Sequence, residues 1–167
     1  MVQEIKDRLP VLKFIGGFFI FTILFYLITD ADWFDKVRAP LITAYTYFSS
    51  FFLSIFGFGT YSSGSILSNG DFSVDVQEGC DAVVPTILFM TAVLVFPTSW
   101  KHKFKGLLYG VPALFAINLI RIISLFLIGL YIPKLFDFMH VEFWQAVFIL
   151  ATVLIFIFWL RKSKGTG

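Results

Sequence analysis

Few side chains in this chain of 167 residues are equipped for chemistry, and three of them stand out: Cys80, Arg121 and His140. Cys80 is the sole cysteine. It follows an acidic, lysine-free stretch and directly precedes an apolar run that predicts a helix. A thiol at a helix N-terminus gains from unsatisfied amides and the positive dipole end, a setting that lowers its pKa. Glu78 and Asp81 act against that effect, so a thiolate here requires a nearby cation. Without such activation, a lone cysteine would be a small apolar packing residue. Cys80, His102 and His140 assemble neither a CxxC motif nor a Cys/His metal cluster, so no metal and no other cofactor is expected.

Arg121 lies inside a long apolar run, about 15 Å of helix from the run's far end at roughly 1.5 Å per residue. A guanidinium at that depth is costly unless it faces protein or water. Asn118, Arg121 and Ser124 recur at intervals of three and form a narrow polar stripe on one helix face. Arg121 is then either a structural tie to backbone carbonyls or an anion clamp, since it keeps its charge and presents five donors in a fixed fork. His140 sits in the short connection before the last apolar run, on the same predicted membrane face as Cys80. His102 falls among three lysines on the opposite face and is not part of the constellation. A nucleophile, a titratable base and a permanent cation on three separate elements are the ingredients of thiol acyl transfer. The competing class is a non-enzymatic small membrane transporter or assembly component, with Asn118 and Arg121 lining a polar path and Cys80 incidental.

The elements that must carry these residues are membrane helices. Apolar residues make up 58% of the chain, charged residues 14%, and mean hydropathy is +0.86. That balance excludes a cytosolic enzyme, a disordered chain and a disulfide-stapled secreted domain. The formal charge of +2 is too small and dispersed for nucleic-acid binding. Residues 11–28 form the first predicted span, long for a signal-peptide h-region even though Thr29 and Ala31 could flank a cleavage site. Residues 82–96, 107–131 and 141–160 read as further spans, and 161–167 as a basic cytoplasmic tail. Residues 40–58 are apolar but carry Thr43, Thr46, Ser50 and Ser54 on one face. In an interfacial helix that stripe would turn to water; in a crossing helix it would pack against neighbours. Residues 59–79 form an exposed loop, with Asn69-Gly70 predicting a type I′ turn between short strands at 65–67 and 72–76.

Lysine and arginine place the loop around Lys101 and the C-terminus in the cytoplasm, and residues 59–79 and 133–140 outside. If 40–58 crosses, eight Lys and Arg lie inside and four outside; if it lies on the outer surface, the split is nine to three. The expectation is therefore an all-α polytopic membrane protein with four to five spans, four being preferred, and a short extracytoplasmic extended segment or β-hairpin before the cysteine.

The order Glu78-Gly79-Cys80-Asp81-Ala82 before one apolar span, Asn118-x-x-Arg121-Ile122 within the next, and His140 at the mouth of the last resembles the exosortase and archaeosortase family of membrane-embedded cysteine transpeptidases, in a short single-domain form. The resemblance covers roughly residues 40–160. It implies Cys80 as nucleophile, Arg121 stabilising the thiolate and oxyanion, and His140 as general acid and base, with Asn118 and Ser124 in support. The chain departs from the family where Asp81-Ala82 replaces the frequent Ser-Gly, and in lacking the additional N-terminal spans of larger members. The implied substrates are secreted proteins with a C-terminal sorting signal composed of a short motif, a transmembrane helix and a basic tail. Cleavage would occur at the outer face of the cytoplasmic (inner) membrane through a thioester on Cys80, resolved by an envelope lipid or glycan acceptor or by water. Membrane lipids are the remaining implied partners. Recognition of the basic tail by Lys101 or Arg161 is disfavoured by like charge.

Overall fold

The computed structural model describes residues 2–163. The end of the predicted basic tail, 164–167 with Lys164, lies outside the described residues. Helix α1 (Val2–Thr29) leads through a 3-10 turn (Asp32–Phe34) into α2 (Asp35–Ile55). Strands β1 (Tyr61–Ser63), β2 (Ile66–Ser68) and β3 (Ser73–Asp75) follow, then α3 (Val83–Val95) and α4 (Trp100–Tyr131). A 3-10 turn (Pro133–Leu135) and a π-helix (Phe138–Phe143) run into α5 (Trp144–Ser163). This is an all-α membrane protein carrying one small sheet. Among the described residues, Val11–Thr29, Trp100–Tyr131 and Phe138–Lys162 are long and apolar enough to cross a membrane. Helix α3 is largely apolar but has 13 residues, roughly 20 Å of rise.

The sheet is antiparallel in the order β1-β2-β3, one strand more than the expected hairpin. Leu67 pairs with Val74 and Ser68 with Ser73, so the connection over 69–72 is longer than a two-residue type I′ turn. The reason is local: Asn69 Oδ1 accepts the Phe72 amide at 2.9 Å, and Ser68 Oγ accepts that of Gly70 at 3.1 Å. Side chains that can bond the backbone two or three residues on favour the wider loop. The extra strand enters through Gly64, whose φ of +58° closes the β1-β2 turn. Alternation in β3 behaves as its pattern predicts, with Val76 buried and Ser73 and Asp75 exposed.

The hydroxyl stripe of α2 takes a course that neither sequence reading anticipated. Thr46 Oγ1 donates to Gly64 O at 2.7 Å, while Ser50 and Ser54 both donate to Thr60 O at 2.9 Å. Thr60 Oγ1 returns a bond to Ser50 O at 3.0 Å. Thr60 and Gly64 flank β1, an edge strand with no further strand beside it, and the helix supplies donors for their carbonyls. Thr43 is the exception, bonding Ala39 O of its own helix. Both ends of α2 lie at one end of the helix bundle. Near its start, Arg38 bonds Glu78 in the segment before Cys80; just past its end, Phe58 packs edge-on against Tyr131 at the end of α4.

Helix α4 is the central element and divides the core in two. Leu114 and Leu125 join Phe89, Trp144 and Phe148 on the α3-α5 side, whereas Ile122 and Phe126 join Tyr45, Leu53 and Leu67 on the α2-sheet side. Gly110 lets α3 approach, since a Cβ there would fall 2.1 Å from the Phe89 ring. Helix α1 leans mainly on α3, through Phe14 against Phe96 and Gly17 against Val95, leaving Leu12, Ile20 and Leu24 exposed as lipid contact would require.

The docking of sheet onto α2 rests on buried donors, which gives a direct test. Thr46 is fully buried. Thr46→Val keeps its shape but strands the Gly64 carbonyl, so it should lower stability by about 1–3 kcal/mol. Thr46→Ser, which retains the hydroxyl, should lose markedly less. Thermal unfolding of the purified protein in detergent measures both.

Candidate active site

Cys80 is delivered by the turn between β3 and α3. Gly79 has φ +85° and Ala82 φ +53°, the latter a left-handed conformation that costs a non-glycine residue about 1 kcal/mol. The turn is tied to α4 by two side chains of the polar stripe. Asn118 Nδ2 donates to Cys80 O at 2.8 Å, and Arg121 Nη1 donates to Gly79 O at 3.2 Å. His140 arrives from the π-helix, not from the irregular connection that the sequence predicts. Its carbonyl accepts Arg121 Nη2 at 3.4 Å, and its ring packs 5.6 Å from that of Phe136. A π turn shifts side-chain register relative to the α-helix that follows, a device common where a residue must be aimed.

The three residues come together. Cys80 Sγ lies 2.9 Å from His140 Nε2, and Arg121 Nη2 lies 3.9 Å from the same sulfur. Arg121 Nε is buried with no hydrogen-bond partner among the described residues, leaving one donor of the guanidinium uncommitted. The Arg121 cation also lies 5.7 Å from the centre of the Phe148 ring, within cation-π range. Ser124 does not touch the sulfur. It donates to Arg121 O at 2.8 Å and accepts Trp144 Nε1 at 3.1 Å, which joins α4 to α5 beside the site.

The electrostatic setting differs from the expected one. The α3 amide expected to favour a thiolate is taken by Asp81, whose Oδ1 accepts Val83 N at 3.1 Å. Burial pushes the Cys80 thiol up; the Arg121 cation pulls it back and the Asp81 anion pushes it further. The resting group at neutral pH is therefore a thiol, with an imidazole nitrogen at hand to remove its proton.

The cation required near Glu78 and Asp81 is Arg38, which sequence reasoning missed as a site residue. Its side chain is buried within α2 and reaches Asp35 Oδ1 at 2.9 Å, Glu78 Oε1 at 3.0 Å and Thr29 O at 3.3 Å. Its Nε sits 3.1 Å from Asp81 Oδ2, an ion pair without the angle of a hydrogen bond. Asp81 is nearly fully buried, and burial pushes its carboxyl up while the Val83 amide and Arg38 pull it down. The available signal was a lone arginine following Asp30, Asp32 and Asp35, but pairing across 40 residues is invisible to spacing.

Two cavities meet at this cluster. One, of about 460 Å³, opens onto Cys80 and His140 between the sheet and the α4-α5 connection, walled by Phe72, Val76, Phe136 and Asp137. The other, of about 610 Å³, lies on the far side of Arg121 between α3 and α5, with Leu88, Phe89, Phe148 and Phe156 in its walls. A thiol, a base in contact with it and a cation with a spare donor, flanked by room on both sides, can carry out attack on a carbonyl and hold the resulting oxyanion.

Comparison with known families gives a match to the transmembrane exosortase model over residues 12–158. The chain belongs to the transmembrane exosortase family. No curated protein and no solved structure matches it. Family membership makes it a multi-pass membrane protein and, in general terms, a membrane transpeptidase acting on secreted proteins that carry sorting signals. Within this exosortase, the constellation read from sequence and the cluster formed in space contain the same three residues.

The raised thiol can be read directly, because alkylation has a single cysteine to report. The rate of N-ethylmaleimide labelling should rise with pH through a midpoint above that of an unperturbed thiol, since a raised pKa keeps the group protonated to higher pH. Arg121→Met should move the midpoint up, and Asp81→Asn should move it down. Stopped-flow or mass-spectrometric labelling of the detergent-solubilised protein across pH measures the shift.

Proposed function

We propose that this exosortase cleaves C-terminal sorting signals at the extracytoplasmic face through a thioester on Cys80, with Arg121 and His140 as its partners. The contact of 2.9 Å between Cys80 Sγ and His140 Nε2 is the observation that carries the reading. His140 Nε2 takes the Sγ proton as the sulfur attacks the scissile carbonyl carbon. Negative charge builds on the carbonyl oxygen, and the Arg121 guanidinium stabilises it. Collapse breaks the C–N bond; the departing amine takes the proton from the imidazolium, leaving an acyl group on Sγ. An amine or hydroxyl acceptor, from an envelope lipid or glycan, or water then gives its proton to His140 and attacks the thioester. The sulfur leaves and is reprotonated, which regenerates the resting thiol. Because that resting state is neutral, His140 acts as a base at the moment of attack. Asn118 and Arg121 hold the Cys80 backbone in register, and Ser124 braces the Arg121 turn against α5.

We further propose four crossings, by α1, α3, α4 and the helix ending in α5, with α2 held at the extracytoplasmic side. The Arg38–Glu78 and Phe58–Tyr131 contacts, which keep both ends of α2 at the Cys80 end of the bundle, support this arrangement.

Trapping tests the chemistry. Reconstituted protein mixed with a membrane-tethered substrate should accumulate a hydroxylamine-sensitive adduct on Cys80, detected by intact mass. Cys80→Ser should abolish nearly all processing with little change in protein abundance; processing retained in that variant would reject the reading. Arg121→Lys should be almost as damaging as Arg121→Ala, because loss of one oriented donor alone slows the step by about 100-fold or more. His140→Gln should slow acylation by a similar factor and lose the neutral limb of the pH profile, so a limb that persists would assign the base elsewhere.

Topology is checked separately. Reporter tags within 30–37, 59–79 and at 133 should read extracytoplasmic, and a tag at 103 cytoplasmic. A cytoplasmic reading at 30–37 alone would make α2 a fifth crossing, and one at 59–79 would remove Cys80 from the outer face.

A further inference from the structure

At the end of the bundle opposite Cys80, α4 and α5 enclose a cavity of about 1000 Å³. Its two walls repeat one pattern. Along α4, Lys101, Lys105, Tyr109 and Ala113 follow at intervals of four and so share a face; along α5, Lys162, Phe158 and Leu154 do the same. Each wall thus passes from charge at the bundle's end, through an aromatic ring, to aliphatic surface deeper in. Lys103, one face away, is turned to α3 instead, where its ammonium meets Leu94 O and the Trp100 ring.

The two walls are joined by a reciprocal bridge. Trp159 Nε1 donates to His102 O at 3.0 Å, His102 Nε2 lies 3.2 Å from Trp159 O, and the two rings stack 4.8 Å apart. Gly106 makes this contact possible, since a Cβ there would fall 2.6 Å from Trp159 Nε1. No aspartate or glutamate occurs between Asp81 and Asp137 or after Glu142 in the sequence, so neither α4 nor α5 brings a carboxylate to the lysines of this cavity. Cytoplasmic orientation alone would require only basic loops; it would not require lysines from two helices around one cavity with an apolar floor.

We propose that this cavity binds one anionic phospholipid, its phosphate between Lys101, Lys105 and Lys162 and an acyl chain against Ala113 and Leu154. A headgroup of opposite charge and a tail suited to the floor match both parts of each wall. The occupant would bridge α4 and α5 at the end remote from Cys80, and its presence is independent of the proposed acyl transfer.

The test uses the full chain purified in mild detergent, titrated with phosphatidylglycerol, with phosphatidylcholine of the same chains, and with inorganic phosphate. Native mass spectrometry should find one retained phosphatidylglycerol, and thermal unfolding should be raised by that lipid and not by the other two additives. The triple variant Lys101→Gln, Lys105→Gln, Lys162→Gln should weaken phosphatidylglycerol retention by about 100-fold, from roughly fivefold per lysine. Ala113→Phe, which fills the floor and keeps every charge, should also release the lipid. Equal retention of the two phospholipids, an unchanged preference in the triple variant, or stabilisation by inorganic phosphate equal to that by lipid would each overturn the proposal. Should the triple variant fail to fold, unaltered retention in Ala113→Phe would do so alone.

Discussion

A permanent positive charge within an apolar helix is the constraint around which this molecule is organised. Arg121 cannot shed its proton, and water does not reach most of its side chain, so protein must supply partners. It finds them in two backbone carbonyls, Gly79 O and His140 O, that belong to segments far apart in the chain. Those carbonyls are available because the segments are not regular α-helix: one is a glycine turn, the other a π turn. Satisfying the guanidinium therefore draws Cys80 and His140 to the same place, and the solvation of one cation doubles as assembly of the candidate site. Arg121 also stands where the two hydrophobic halves of the core meet along α4, so its burial is shared by both.

A second arginine completes the local charge balance. Asp81 accepts the Val83 amide at the start of α3 and is buried in doing so, yet an uncompensated carboxylate next to the sulfur would oppose thiolate formation. Arg38 offsets Asp81 and Glu78 from the other side. The arrangement leaves Arg121 as the cation closest to the sulfur while Arg38 absorbs the acidic neighbours. It also ties α2, and through α2 the sheet, to the turn that carries Cys80. Removing either arginine would consequently disturb chemistry and architecture together, which is why charge-retaining and shape-retaining substitutions are more informative than truncations.

Much of the architecture was legible in the chain itself. Long apolar runs predict helices because no other backbone arrangement satisfies its own hydrogen bonds in lipid. Alternation through Phe72, Val74 and Val76 predicts the strand, because side chains on a pleated segment point in turn to opposite faces. The isolated cysteine, the arginine in an apolar helix and the histidine near its end are conspicuous because each would be costly or purposeless without a partner. The family resemblance rests on those same positions, and the family match spans residues 12–158.

Other features depended on contacts between distant segments, which spacing does not encode. The serine and threonine stripe of α2 fits water, a neighbouring helix or a strand equally well; the carbonyls of Thr60 and Gly64, which flank β1, decided among them. A helix N-terminus after Cys80 predicts a lowered thiol pKa, but Asp81 occupies the amide and burial reverses the sign. Arg38 is an ordinary interfacial arginine until Asp81 is brought within 3.1 Å of it. By itself, then, the sequence determined which residues could not be indifferent to their surroundings, because hydrophobicity, charge and backbone preference are local properties. Only the tertiary structure decided which partners they obtained and with what effect on their charge state, because hydrogen bonding and desolvation depend on what the rest of the chain places within a few ångströms.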